Sequence, residues 1–334
     1  MPLQANPLVA QRQILAGQAL VNLGHLRVLS VSGADRLTWL HSLLSANFRN
    51  LQPGQTIEAL ALDANGRVEA IVFATDDGET TKILVDASRA DALHLWLRKM
   101  VFRSKVVVAA EPDQVAIVGS WGDPLSGALF SFTDSWPNIA AGGYRYGEAP
   151  TEPWAVVYNA VAPETLAAML ANPNVNWASE DALNALRIAA HRPGLAEVDD
   201  KTIPHELNLL ATAVHLSKGC YRGQETVAKV HNLGHPPRRL VLLHLDGSNH
   251  LLPEIGDAVD LDGKAVGSVT SAANHHEMGP IALAVVSRGT DIGAVLSVVG
   301  NHEVIAASQE VIVPQDAGKV ANVPRASMLG KPRR

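Results

Sequence analysis

The densest chemistry in the chain lies at residues 216–230, LSKGCYRGQETVAKV. This stretch holds Cys220, the single cysteine, between Lys218 and Arg222 and between Gly219 and Gly223. Two glycines so close imply a tight, exposed turn in which backbone approaches a ligand or another strand. Residues 224–230 suit a helix with Gln224 and Glu225 in its first turn, so the thiol falls just ahead of a helix N-terminus. Positive neighbours and a helix N-terminus both favour thiolate over thiol. A solvent-accessible thiol so placed is a candidate nucleophile, redox group or metal ligand. The competing reading is a small buried hydrophobe, and the polar neighbours from Lys218 to Glu225 argue against it.

Other candidate groups carry less. The chain has 13 histidines, among them His231 and His235, four apart, and the adjacent pair His275-His276. Four apart places two imidazoles on one helix face, but Gly234 and Pro236 oppose a helix there. No acidic or cysteine partner has zinc spacing, so no metal site is expected. Asp199-Asp200 reads as a solvated loop pair. No GxxxxGK[ST] loop, no GxGxxG after a strand, no GxSxG elbow and no HExxH is present in the sequence.

The elements that must position Cys220 read as α+β. Strands are expected at 25–31, 56–63, 67–74, 81–85, 105–109, 114–119 and 154–158. Residues 56–63 and 67–74 join as a hairpin across Ala64-Asn65-Gly66. Asp35 caps a helix bearing Leu37, Leu40, Leu43 and Leu44, and Ser88 caps one bearing Leu93, Trp96, Leu97 and Met100. Helices follow at 163–170 and 179–190. The first 20 or so residues show no strong period, and 120–150 reads as loops. Paired strands with single helices exclude a doubly wound parallel sheet. The pair Pro236-Pro237 marks a boundary, after which short strands at 239–245, 258–261, 264–270, 281–286 and 295–299 describe a small β-barrel.

Composition bounds the rest. A length of 334 residues suggests roughly two domains, and a 47% hydrophobic content supports a buried core. A formal net charge of −6 argues against a bulk electrostatic grip on nucleic acid or an anionic membrane, while leaving room for a local basic patch. One cysteine excludes an intrachain disulfide. No apolar run reaches the ~18 residues of a membrane span, and the N-terminus has no secretory pattern. A soluble cytoplasmic protein is expected, ending in a basic, flexible tail.

The octapeptide KGCYRGQE resembles the K-G-C-Y/F-x-G-Q-E signature of the YgfZ proteins, folate-binding members of the glycine-cleavage T-protein superfamily. Leu186-Arg187-Ile188 is similar to the LRI that precedes the signature in that family, and Ile203-Pro204-His205-Glu206 to its P-x-E segment. Residues 33–45 resemble the first helix of the superfamily and Asn65-Gly66-Arg67-Val68 its strand-turn-strand. The resemblance covers about residues 25–300. It implies two intertwined ferredoxin-like α+β units within 1–235, a C-terminal β-barrel over 236–315 and a tail at 316–334, arranged around a central hole.

It also implies tetrahydrofolate or a one-carbon derivative as ligand, with iron–sulfur client enzymes or assembly proteins as partners. The implied role is maturation or repair of iron–sulfur enzymes, including radical enzymes that modify tRNA. Cys220 would be the reactive group, tuned by Lys218 and Arg222. Gly219, Tyr221 and Gly223 would shape the loop, Gln224 and Glu225 would fix it, and Glu206 would hold the pterin. Two departures stand out. The family arginine after G-Q-E-x-x-A is Lys229 here, which loses the bidentate fork. True aminomethyltransferases carry G-G-I-x-D-D; counting from Gly66, the matching positions are Ala70 and Ile71, which cannot act as a general base. A folate-dependent aminomethyltransferase and a non-catalytic scaffold are the alternatives.

Overall fold

A computed structural model describes residues 6–111, 114–136, 138–248, 251–300 and 303–321. Most of the expected basic tail, including Arg325, Lys331, Arg333 and Arg334, lies outside the described residues.

The first sheet is antiparallel throughout, in the order β3 (Thr56–Leu62), β4 (Val68–Asp76), β5 (Thr80–Asp86), β2 (Leu26–Ser32), β6 (Val107–Ala110). Alternation sets its two faces. Leu29, Val31, Ala59, Ala61, Ala70, Val72, Ile83 and Val85 point one way and pack under Leu40 and Leu43 of α2 (Arg36–Leu43) and Leu93 and Leu97 of α3 (Ala87–Lys99). Val28, Phe73 and Leu84 point the other way, into the next unit. Both helices are tied at their starts by aspartates. Asp86, not Ser88, caps α3 by accepting from Ser88 N at 2.8 Å. Asp35 makes no cap bond and accepts from Lys105 N at 2.7 Å, which closes the sheet's far edge over the helix.

The second sheet runs β10 (Trp177–Ala178), β1 (Leu20–Asn22), β7 (Ala116–Trp121), β9 (Val156–Val161), β8 (Phe130–Thr133). Its strands come from both sides of the first sheet in sequence, so the two units are intertwined. Strand β8 falls inside 120–150, expected to be loops. Helix α1 (Pro7–Leu15), where no period was legible, packs on α5 (Glu180–Ala189), while α4 (Pro163–Ala171) buries no residue.

Six strands close the barrel, in the order β11 (Arg238–Leu245), β14 (Gly279–Ser287), β13 (Lys264–His275), β12 (Ala258–Leu261), β15 (Val295–Val299), β16 (Val304–Val311). The sequence showed five, and β16 completes the ring by pairing with β11. Strand β11 is apolar on both faces because both are covered. Val241, Leu243 and Leu245 fill the barrel, while Leu240 and Leu242 join Leu207, Leu210, Tyr221 and Val227 in the central cluster. Among the described residues, no helix is long and apolar enough to cross a membrane.

Candidate functional site

Helix α5 starts at Ser179, whose hydroxyl accepts from Ala182 N at 3.2 Å. Its apolar face, Ala182, Leu183, Ala185, Leu186 and Ala189, is buried. The opposite stripe, Glu180, Asp181, Asn184 and Arg187, follows the i, i+4, i+7 spacing of one helical face and lines a cavity of about 380 Å³ between the two α+β units. Phe73 and Leu84 from the first sheet, Tyr158 from the second and Trp154 from the segment leading into β9 form the other walls. At one edge His25 Nδ1 meets Glu180 Oε2 at 2.8 Å, joining the units across the lining.

The walls are held from behind. Asp134 is buried and accepts from Trp154 Nε1 at 2.8 Å and from Arg192 Nε at 2.9 Å. Arg192 also reaches Glu58 at 2.7 Å, and its guanidinium lies over the rings of Phe73 and Trp136. Phe73 and Tyr158 are in ring contact at 5.1 Å. Burial, then the charge of Asp134, raises the Tyr158 phenol and keeps it protonated. Arg187 is fixed by Glu197 at 2.8 Å, and Glu197 in turn accepts from Ser271 Oγ at 2.5 Å and Thr270 Oγ1 at 3.2 Å. Those two residues sit at the bulge of β13, so the barrel orients a cavity arginine. Flat aromatic walls with a few fixed polar groups suit a planar heteroaromatic ligand.

The cysteine loop docks on the β3–β4 turn. Gly223 and Gly66 both have positive φ, +82° and +78°, and a Cβ on Gly223 would stand 2.7 Å from Asp63 O and 2.9 Å from Gly66 Cα. Glycine is required at this backbone crossing because a side chain would part the two turns. Helix α6 (Gln224–Leu233) starts directly after it. Cys220 is exposed and free.

The flanking cations are committed elsewhere, which corrects the expectation that they tune the thiol. Lys218 is buried and donates to the carbonyls of His41, Leu44 and Ala46, the last at 2.9 Å, closing the C-terminal turn of α2. Burial pushes its ammonium down to about 7, and the three carbonyl acceptors oppose that by holding the charged form. Arg222 pairs with Glu69 at 2.9 Å and lies over the Trp96 ring.

Glu206 differs from expectation as well. It is fully buried, and its two oxygens accept from Arg238 Nε at 3.1 Å and Nη2 at 2.8 Å. It does not line the 380 Å³ cavity. Arg238 also holds Asp199 at 2.6 Å, so this loop residue, half exposed as a solvated one would be, is an ion-pair partner as well. Gly219 lies against His41, and Tyr221 is buried in the central cluster. Gln224 donates to Lys218 O at 3.3 Å, while Glu225 is exposed in the first turn of α6. His231 Nδ1 bonds the Tyr146 hydroxyl and His235 Nδ1 the Ala317 carbonyl, each at 2.8 Å.

One strand joins loop and cavity. On β4, Ile71 and Phe73 share a face by alternation and line the cavity; Glu69 falls at the β3–β4 register shift, where Ala61 pairs with Ala70 and Leu62 with Val68, and holds Arg222 on the α3 side. At about 3.4 Å per residue, Glu69 and Phe73 are roughly 14 Å apart along the strand. Ala70 faces the opposite way, buried under the helices.

No family model matches the chain. The tRNA-modifying protein YgfZ of Yersinia enterocolitica is 27% identical over 269 residues, spanning 78% of this chain and 79% of that protein. The chain is similar to the YgfZ proteins. YgfZ of Aliivibrio fischeri is 25% identical over 79% of the chain and 83% of its own length. A putative chloroplastic transferase of Arabidopsis thaliana is 25% identical over 76% of the chain, which spans 62% of that protein. Glycine cleavage system aminomethyltransferase T from Bartonella henselae superposes with a TM-score of 0.72 over 96% of this chain and 92% of its own, at 18% identity. The T-protein fold is therefore shared, with its C-terminal barrel. The YgfZ resemblance rests on the sequence relatives.

The sequence reading missed the cavity walls. Arg187 entered it only as part of LRI, Trp154 and Tyr158 only as the ends of an expected strand, and Arg192 and Glu197 not at all. The polar stripe on α5 opposite an apolar face was the available signal.

Proposed function

We propose that the chain binds tetrahydrofolate, or a one-carbon derivative of it, in the 380 Å³ cavity and uses the Cys220 thiol in maturation or repair of iron–sulfur enzymes, including those that modify tRNA. The observation that carries this reading is the cavity wall itself, joined to the exposed cysteine loop by strand β4, which bears the Arg222–Glu69 pair at its start and Ile71 and Phe73 in the wall further along. Similarity to relatives named tRNA-modifying protein YgfZ supports the tRNA side of it. The folate fit rests on the walls. Trp154, Tyr158 and Phe73 offer flat surfaces, while Asn184 and Asp181 offer acceptors to an aminopyrimidine edge and Arg187 donors to an oxo group or carboxylate.

Residues of this chain would bind, orient and exclude water. Arg187, fixed by Glu197, would hold one orientation of the ligand, and the Asp134-anchored Trp154 would hold its plane. Cys220 would present its sulfur at the surface to a partner protein. Aminomethyl transfer is not supported, because Ile71 offers only hydrocarbon to the cavity and Ala70 is buried away from it.

Cys220→Ser is expected to keep its fold and its tetrahydrofolate affinity while losing support of an iron–sulfur client enzyme. Full support by that variant would remove the thiol from the mechanism. Arg187→Met is expected to weaken tetrahydrofolate by about tenfold, the loss of one charge-assisted hydrogen bond at ~1.5 kcal/mol.

A further inference from the structure

A second cavity, of about 500 Å³, opens where the β3–β4 hairpin meets α3, beside the cysteine loop. It falls within the roughly 300–1,000 Å³ of small-molecule clefts. Three guanidiniums line it, those of Arg67, Arg89 and Arg222, together with four carboxylates, Asp63, Glu69, Asp199 and Asp200. Their existing partners decide what charge the cavity offers. Asp63 accepts from its own turn amides, Asn65 N and Arg67 N, both at 2.8 Å. Glu69 is taken by Arg222. Asp199 is taken by Arg238, whose hydrogen bond holds it well below the usual carboxylate range. Among the described residues, the Arg67 and Arg89 side chains have no ion pair or hydrogen bond, and Arg89 Nε is buried without a partner. Asp200 is likewise uncommitted. With Arg238 offsetting Asp199, the three guanidiniums are matched by the three carboxylates of Asp63, Glu69 and Asp200, so what the cavity offers an anion is not net charge but the two unpartnered guanidiniums of Arg67 and Arg89.

One wall is flat. The Arg222 guanidinium lies over the Trp96 indole, 5.6 Å from the ring centroid. Bases stack on aromatic rings and on guanidinium planes alike. Arginine presents a planar fork that matches phosphate oxygens.

The geometry points to a nucleotide as the occupant of this cavity. Its phosphate lies between Arg67 and Arg89, its base stacks on the Trp96–Arg222 wall, and Asp200 accepts from a base amine or a ribose hydroxyl. A bare anion would leave the flat wall and Asp200 unused. Two unpartnered guanidiniums in a cavity of about 500 Å³ suit a single phosphate, so recognition is of one nucleotide unit and not of a long phosphate tract. A free mononucleotide and one residue of an RNA strand present the same chemistry. The inference stands on this cavity alone and does not need folate in the 380 Å³ one.

The test is calorimetric titration of the full chain with the four ribonucleoside monophosphates, a single-stranded hexaribonucleotide, adenosine and inorganic phosphate. Tetrahydrofolate is titrated in parallel. The expected result is saturable binding of a mononucleotide or the hexamer, with adenosine and phosphate each weaker by about tenfold or more. The double variant Arg67→Ala/Arg89→Ala is expected to lose about tenfold or more in nucleotide affinity at an unchanged thermal midpoint and unchanged tetrahydrofolate titration. A tenfold preference for the hexamer assigns the site to an RNA strand, and parity assigns it to a free nucleotide. No heat with any nucleotide at roughly millimolar concentration, phosphate binding as tightly as the nucleotide, or a double variant equal to the wild type would overturn the proposal.

Discussion

Cys220 and Lys218 sit two residues apart and answer to different constraints. The sulfur is exposed and makes no packing contribution, so Cys220→Ser should leave the urea midpoint within about 0.5 kcal/mol of wild type. The native thiol should also react at once with a chromogenic disulfide reagent, where a buried one would wait for unfolding. Lys218→Met removes the donor shared by the carbonyls of His41, Leu44 and Ala46. That variant should lose about 1–3 kcal/mol in the same urea experiment, because buried acceptors are left unsatisfied. The motif made the cysteine legible through its neighbours. It could not show that Lys218 turns inward, because spacing along the chain does not say that the end of α2, more than 170 residues earlier in sequence, lies within reach of the ammonium. Glu206 was misread for the same reason: its partner Arg238 belongs to the first strand of the barrel.

Among the elements, the crossing of the β3–β4 turn with the cysteine loop is the sharpest constraint. Gly223→Ala meets both a positive φ and a backbone oxygen at 2.7 Å. It should cost more than the ~1 kcal/mol of a strained alanine alone and should shift the thermal midpoint down. The Arg238–Glu206 pair links the turn at Pro204–Leu207 to β11. Arg238→Leu leaves a buried carboxylate unpaired and should destabilise by about 3–5 kcal/mol. Adding Glu206→Gln to that variant should recover part of the loss. Strands with clean alternation, such as β3, β4 and β5, were legible to within about two residues. Helix α1 was not, because Gln11 is buried in its core-facing stripe and satisfies its amide on Asn274 O at 2.8 Å. Strand β16 escaped because seven of its eight residues are exposed or half-exposed and only Ala307 is buried, so no hydrophobic run marks it.

At the scale of the whole molecule, one central cluster ties the cysteine loop to the barrel. Tyr221 and Val227 pack in it with Leu240, Leu283 and Val285. His205 lies in this region, fully buried, with Nε2 on the Val227 carbonyl at 3.0 Å. Burial pushes its imidazole down to about 4, below the ~6.5 of an unfolded chain. The unfolded state therefore binds the extra proton between these values. Stability is complete above about pH 6.5 and falls on acidification toward pH 4, by about 3 kcal/mol from this residue. Urea midpoints at pH 7 and pH 4.5 should show the fall, and His205→Gln should reduce it. The fold class was legible from paired strands, single helices and the closely spaced strands after Pro237. The cavity was not, because its walls come from five separated segments, 23–26, 71–73, 84–86, 154–158 and 180–196, and become neighbours only when the two sheets intertwine. That cavity carries the central claim, and Ala196 is an exposed wall residue at which a large side chain can plug it without touching the core. Calorimetric titration with tetrahydrofolate should show one saturable site in the wild type and a loss of at least about tenfold in Ala196→Trp. No binding by the wild type, or equal affinity in the plugged variant, would contradict the account.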